Sequence, residues 1–132
     1  MDEQMVTKLL EAATKARENS YSPYSGFPVG AAVLTSSGRI YSGCNIEAAS
    51  SGATCCAERT AIYKAVSEGE REFKAICCIA DTPDVCTPCG ICRQVIREWG
   101  GDIDVVLANV RGAVKVVKIS DLLPLAFTAD DM

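Results

Sequence analysis

Residues 74–80 read Lys-Ala-Ile-Cys-Cys-Ile-Ala, and after the leading lysine every one of them is apolar. The run has strand length, and β-branched isoleucine favours extended backbone. A strand that is apolar on both faces must be covered on both, as in the middle of an α/β sheet and unlike a half-solvated antiparallel one. This one run therefore asks for helices above and below a sheet.

The remainder of the chain supplies them. Over residues 4–19, Val6, Leu9, Leu10, Ala13 and Ala16 fall on one helical face with charges opposite. Residues 29–35 and 39–45 read as strands joined by a hairpin turn at 36–39. A Ser/Gly/Ala loop leads to a helix from about Cys55 to Ser67, stopped by Gly69. After the run at 74–80, a helix is predicted from Pro88 to about Trp99, ending at Gly100-Gly101. Strands follow over 103–109 and 114–120, and a short helix or turn closes through 121–127. The expected order is α-β-β-α-β-α-β-β-α. It implies one domain over residues 1–132, a three-layer α/β/α sandwich around a five-stranded mixed sheet.

Charge narrows the partners. The chain has 13 basic and 17 acidic side chains, net −4, with no Lys/Arg run. A nucleic-acid surface needs clustered positive charge, so none is expected, and a small, largely uncharged substrate fits better. No apolar run approaches membrane-spanning length, and the acidic, amphipathic start is unlike a signal peptide. A cytoplasmic, reducing setting is expected, in which eight cysteines are thiols rather than a disulfide framework. A domain of this size leaves apolar surface that an oligomer could bury. Cys44, Cys77 and Cys78 lie in strand-like runs and read as small buried hydrophobes; Cys86 reads as core or bystander.

Chemistry concentrates at two helix starts. In Thr87-Pro88-Cys89-Gly90-Ile91-Cys92, Thr87 suits the N-cap and Pro88 the first helical position. Cys89 and Cys92 then share a face of the first turn, where free N–H groups and the helix dipole favour thiolates. The second start, Thr54-Cys55-Cys56-Ala57-Glu58-Arg59, offers Cys56 and Glu58. Side chains in a first turn lean toward the N-terminus. Two such helices at one sheet edge would aim three thiolates and a carboxylate at one point. Three ligands leave a tetrahedral Zn²⁺ an open position for water, and the metal lowers that water's pKa to around 7. Glu58 beside it could shuttle protons. Three thiolates and Zn²⁺ sum to −1, and Arg59 could offset that charge.

These motifs resemble the zinc cytidine deaminases, in their small three-cysteine form. The resemblance runs through "SPYSGFPVGAA", "GCNIE", "CAERTA", "PCGICRQ" and "LLPLAF", nearly the whole chain. It implies that Cys56, Cys89 and Cys92 hold one zinc. It implies that Glu58 takes a proton from the zinc-bound water, delivers it to N3 of the base and assists departure of ammonia. It further implies that Phe27 packs on the pyrimidine, and that Asn45 and Glu47 bond the ribose hydroxyls. The Ala57 N–H would meet O2, and the Thr87 carbonyl would accept from the exocyclic amine. A homotetramer is implied, with Phe127 reaching a neighbour's site. One loop departs from the family pattern: Ala48 stands for an asparagine and Ser51 for a tyrosine, which bears on substrate breadth. Two other readings compete. A redox dithiol at "CGIC" lacks the usual preceding aromatic and leaves "CAE" and "NIE" without a role. A closed structural zinc using Cys55 and Cys56 leaves Glu58 idle, and adjacent cysteines rarely close such a site.

Overall fold

The computed structural model describes residues 1–132. Its elements are α1 (Glu3–Arg17), β1 (Val29–Thr35), β2 (Ile40–Cys44), α2 (Ala57–Ser67), β3 (Phe73–Ala80), α3 (Gly90–Gly100), β4 (Asp104–Asn109), β5 (Val114–Lys118) and α4 (Ile119–Leu122). Short 3₁₀ turns stand at Ser51–Ala53 and Ala129–Asp131. The strands form one sheet in the order β2-β1-β3-β4-β5. Only β3 and β4 run parallel; the other pairs are antiparallel. The mixed sheet of the sequence pattern is thus present.

The alternation along β3 and its neighbours builds two cores. Ala31, Val33, Ile76, Cys78, Val105 and Leu107 face one side, with Ala57, Ala61, Ile62 and Ala65 of α2 and Ile96 of α3. Ala32, Leu34, Ala75, Cys77, Val106 and Ala108 face the other, under Leu9 and Ala13 of α1. Two glycines let these helices close on the sheet. A Cβ on Gly30 would lie 2.0 Å from the Ala13 carbonyl of α1, and one on Gly43 would lie 2.7 Å from the Ala61 nitrogen of α2.

Register places the site. Val29 pairs with Ala80, Gly30 with Cys44, and Ala80 with Asn109. The start of β1 and the ends of β2, β3 and β4 therefore share one edge. The loops to α2 and α3 leave from that edge, where open α/β sheets bind ligands.

Several boundaries correct the sequence pattern. Helix α3 begins at Gly90 with Cys89 as N-cap, so Thr87 and Pro88 lie before it rather than at its cap and first position. Helix α2 begins at Ala57 with Cys56 as N-cap. Strand β5 ends at Lys118, and Ile119 and Ser120 open α4. Here the β-branched run over-read the strand, because the Asp121 carboxylate accepts the Lys118 N–H at 2.9 Å and turns the chain. Cys77, Cys78 and Cys86 are buried, whereas Cys44, at the sheet edge, is half-buried.

Candidate active site

Helices α2 and α3 both begin on a cysteine with extended backbone, Cys56 at φ −68, ψ 155 and Cys89 at φ −68, ψ 170. An N-cap side chain usually folds back on its own helix amides. Neither thiol does so. The two sulfurs instead approach each other at 3.7 Å. Cys92, buried at the third position of α3, completes the group, and all three Sγ atoms lie within 4.8 Å of one another. A tetrahedral zinc with bonds of about 2.3 Å spaces its sulfurs by about 3.8 Å. The donor set therefore fits Zn²⁺ in type and spacing.

Arg59 donates to Cys56 Sγ at 3.3 Å. In the metal-free chain the Cys92 thiol and this guanidinium, both donating to Cys56, bring the Cys56 thiol down to about 5. Cys92, which keeps its proton against the Cys56 sulfur, is pushed upward. Arg59 is held firmly cationic, first of all by its bond to the Cys56 sulfur. Its Nε is buried without a hydrogen-bond partner.

Glu58, the second residue of α2, is 4% exposed. Burial pushes its carboxyl up to about 7. At that value both protonation states are populated near neutrality, as a proton shuttle requires.

A cleft of about 290 Å³ opens at this edge, lined by Phe27, Asn45, Glu47, Ala57, Glu58, Thr87, Cys56 and Cys89 among others. Eight residues named from sequence thus converge there. Cys92 stands behind it in the core. Phe127 does not join it: 61% exposed, it lies in a separate depression beside Gln94 and Arg97. Ala48 and Ser51 do not line the cleft either. Their loop is pinned by the Ala48 N–H to Thr54 Oγ1 at 3.1 Å.

Three extended segments tie the Asn45–Glu47 side of the cleft to the Cys56 side. Tyr21 N–H donates to the Asn45 carbonyl at 3.1 Å, and Glu47 N–H to the Tyr21 carbonyl at 2.9 Å. Ile46 and Cys55 exchange bonds of 2.9 and 2.8 Å. Asn45 accepts from Ser20 Oγ and the Val29 N–H, and donates to the Phe27 carbonyl at 2.8 Å. Ser20, Ser25, Val29 and Thr54 escaped the sequence reading. So did Asn109, whose amide nitrogen donates to the Thr82 and Asp84 carbonyls at 3.1 and 3.2 Å. The only local signal was the Ser/Gly/Pro-rich turn, which marks a loop and not its contacts.

Comparison with known proteins agrees with this geometry. Residues 3–109 match the family model for the cytidine and deoxycytidylate deaminase zinc-binding region. A cytidine deaminase of Sporosarcina psychrophila is 51% identical over 128 residues, 96% of this chain and 94% of that one. One of Halalkalibacterium halodurans is 51% identical over 133 residues, 100% of this chain and 98% of its own. The crystal structure of cytidine deaminase from Burkholderia pseudomallei superposes with a TM-score of 0.89 at 47% identity, covering 96% of this chain and 100% of that one.

Proposed function

The chain belongs to the cytidine and deoxycytidylate deaminase family, and on that footing we propose how its residues carry out the zinc-dependent hydrolysis of cytidine and 2′-deoxycytidine to the corresponding uridines and ammonia. The observation that carries the reading is the meeting of three thiols and a buried carboxyl at one end of a nucleoside-sized cleft.

Cys56, Cys89 and Cys92 hold the zinc, one ion per chain. Bound there, the ion supplies the Lewis acidity that brings the pKa of water down to about 7. Arg59 and the two helix N-termini counter the charge of the three thiolates. Glu58, as carboxylate, takes a proton from the attacking water and, as acid, delivers it to N3 of the base; a carboxylate again, it takes the proton of the hydroxyl now on C4 and passes it to the amine, so that the C4–N bond breaks, ammonia leaves and the C4 carbonyl forms. Its burial keeps bulk water from competing for that proton. Phe27 flanks the pyrimidine, the Ala57 N–H meets O2, and the Thr87 carbonyl accepts from the exocyclic amine.

Asn45 has one N–H left after its bond to Phe27, and Glu47 keeps one acceptor site. One sugar hydroxyl donating to Glu47 and accepting from Asn45 satisfies both. A single hydroxyl suffices, so the ribose and the 2′-deoxyribose are both accommodated. Homotetrameric assembly belongs to the same reading. Tyr24, Ile91, Leu125 and Phe127 stay exposed in one chain, and Phe127 would then close a neighbour's cleft. The free thiols suit a cytoplasmic setting.

The test is metal analysis and ammonia release on one sample with cytidine and 2′-deoxycytidine. One zinc per chain and release of ammonia from both nucleosides are expected. A zinc-loaded sample that releases none from either overturns the reading.

A further inference from the structure

Glu47 is more tightly held than a side chain at the lip of an open cleft needs to be. Its Oε1 accepts the N–H groups of Tyr24 and Ser25, both at 3.0 Å, and its Oε2 accepts the Ser25 hydroxyl. A carboxylate has about four lone-pair sites. Three are filled from within the chain, and the one left belongs to Oε2. The Ser25 hydroxyl has a second duty, since it accepts the Phe27 N–H at 3.1 Å. The donors sit on a tight turn, closed by Gly26 N–H to the Ser22 carbonyl at 2.9 Å. Gly26 is left-handed there, with φ +64.

We propose that Ser25 is a positioning residue for nucleoside binding: its hydroxyl orients the Glu47 carboxylate toward the sugar and links it to Phe27, so that the sugar and base contacts are set together. The proposal rests on the deaminase reading and names a residue that acts through Glu47. The backbone supports it from the other side. Glu47 N–H is bonded to Tyr21, and Ile46 between the two sugar-side residues is bonded to Cys55, next to the metal ligand Cys56. The Glu47 main chain is therefore fixed relative to the reacting end, the Tyr24 and Ser25 N–H groups anchor Oε1, and the Ser25 hydroxyl sets what remains, the placement of Oε2 about that anchor. A hydroxyl bonded to a charged acceptor is worth more than one between neutral groups.

The experiment measures kcat and KM of zinc-loaded wild type, Ser25→Ala, Ser25→Thr, Glu47→Gln and the double variant Ser25→Ala/Glu47→Gln. Cytidine and 2′,3′-dideoxycytidine, which lacks the 2′- and 3′-hydroxyls, serve as substrates. Ser25 is exposed on a turn, so the alanine variant keeps the fold and its two backbone donors. Ser25→Ala is expected to raise KM for cytidine roughly tenfold with little change in kcat. It should lower kcat/KM for the dideoxynucleoside clearly less, since only the Phe27 side of the Ser25 contacts bears on that substrate, and Ser25→Thr should restore most of the loss. In the Glu47→Gln background the alanine change should add little, as two groups on one path are not additive. Equal losses on both substrates, full additivity with Glu47→Gln, or an unchanged KM would each overturn the proposal while leaving deamination intact. A wild type silent on cytidine would overturn the deaminase reading and this proposal with it.

Discussion

Cys55 and Cys56 are adjacent thiols with unlike surroundings. Both backbone groups of Cys55 are bonded to Ile46, and successive side chains of an extended segment point to opposite sides. Cys56 then faces Cys89 and Arg59. Cys56→Ala is expected to abolish zinc retention and turnover, and Cys55→Ala to leave the zinc content at one per chain; metal analysis of the two variants decides. At Glu58 the expected outcome is different in kind. Glu58→Gln keeps the shape and the zinc but has no proton to exchange, so kcat should fall by roughly 10²–10⁴. Circular dichroism and zinc content should stay at wild-type values. At this scale the sequence named the groups well. Cys-Ala-Glu and Pro-Cys-x-x-Cys spacings are properties of the chain itself. What it could not supply is the Glu58 environment, since a carboxyl raised to about 7 depends on what packs around it.

The elements that deliver these residues are held by groups the local pattern does not mark. The loop from β3 to α3 carries Thr87 and Cys89, and Asn109 at the end of β4 pins it. The buried Asn109 side chain donates to Thr82 and Asp84 and accepts the N–H groups of Arg111 and Ala113 at 3.0 and 2.9 Å. Asn109→Ala strands several of these groups. It should lower stability by about 1–3 kcal/mol and weaken zinc retention, read from a denaturation midpoint and competition with a chelator. Arg93 plays a similar part, binding the carbonyls of Pro88 and Leu122, both at 2.8 Å. The strands and helices themselves were readable from periodicity, and the misses sit at their ends. A thiol is an unusual N-cap, and the sequence rule that prefers threonine there put the cap of α3 at Thr87 and its start at Pro88. The structure moves it forward because Cys89 and Cys56 turn toward one another instead of toward their own helices.

For the whole molecule, metal and fold are coupled. The three sulfurs come from two helices on two separate loops, so a bound ion cross-links elements that otherwise meet only through packing. Chelation should lower Tm, and added zinc should restore it, because an ion that binds only the folded state stabilises by mass action. Zinc ligation requires thiolates, and Cys92 holds its proton in the metal-free chain. Binding releases protons, so zinc retention should weaken as pH falls, as chelator competition across a pH series would show. By itself the sequence determined the chemistry available: three thiols, one carboxyl, an arginine, and the strand and helix periods that put them at segment starts. These follow from covalent order and local spacing. Only the tertiary structure decided that Cys56 and Cys89, 33 residues apart, meet at 3.7 Å, that Phe127 stands outside its own chain's cleft, and that Ser25 holds Glu47. Each of those depends on strand register and loop path, which arise from pairing between distant segments and leave no mark in the residues beside them.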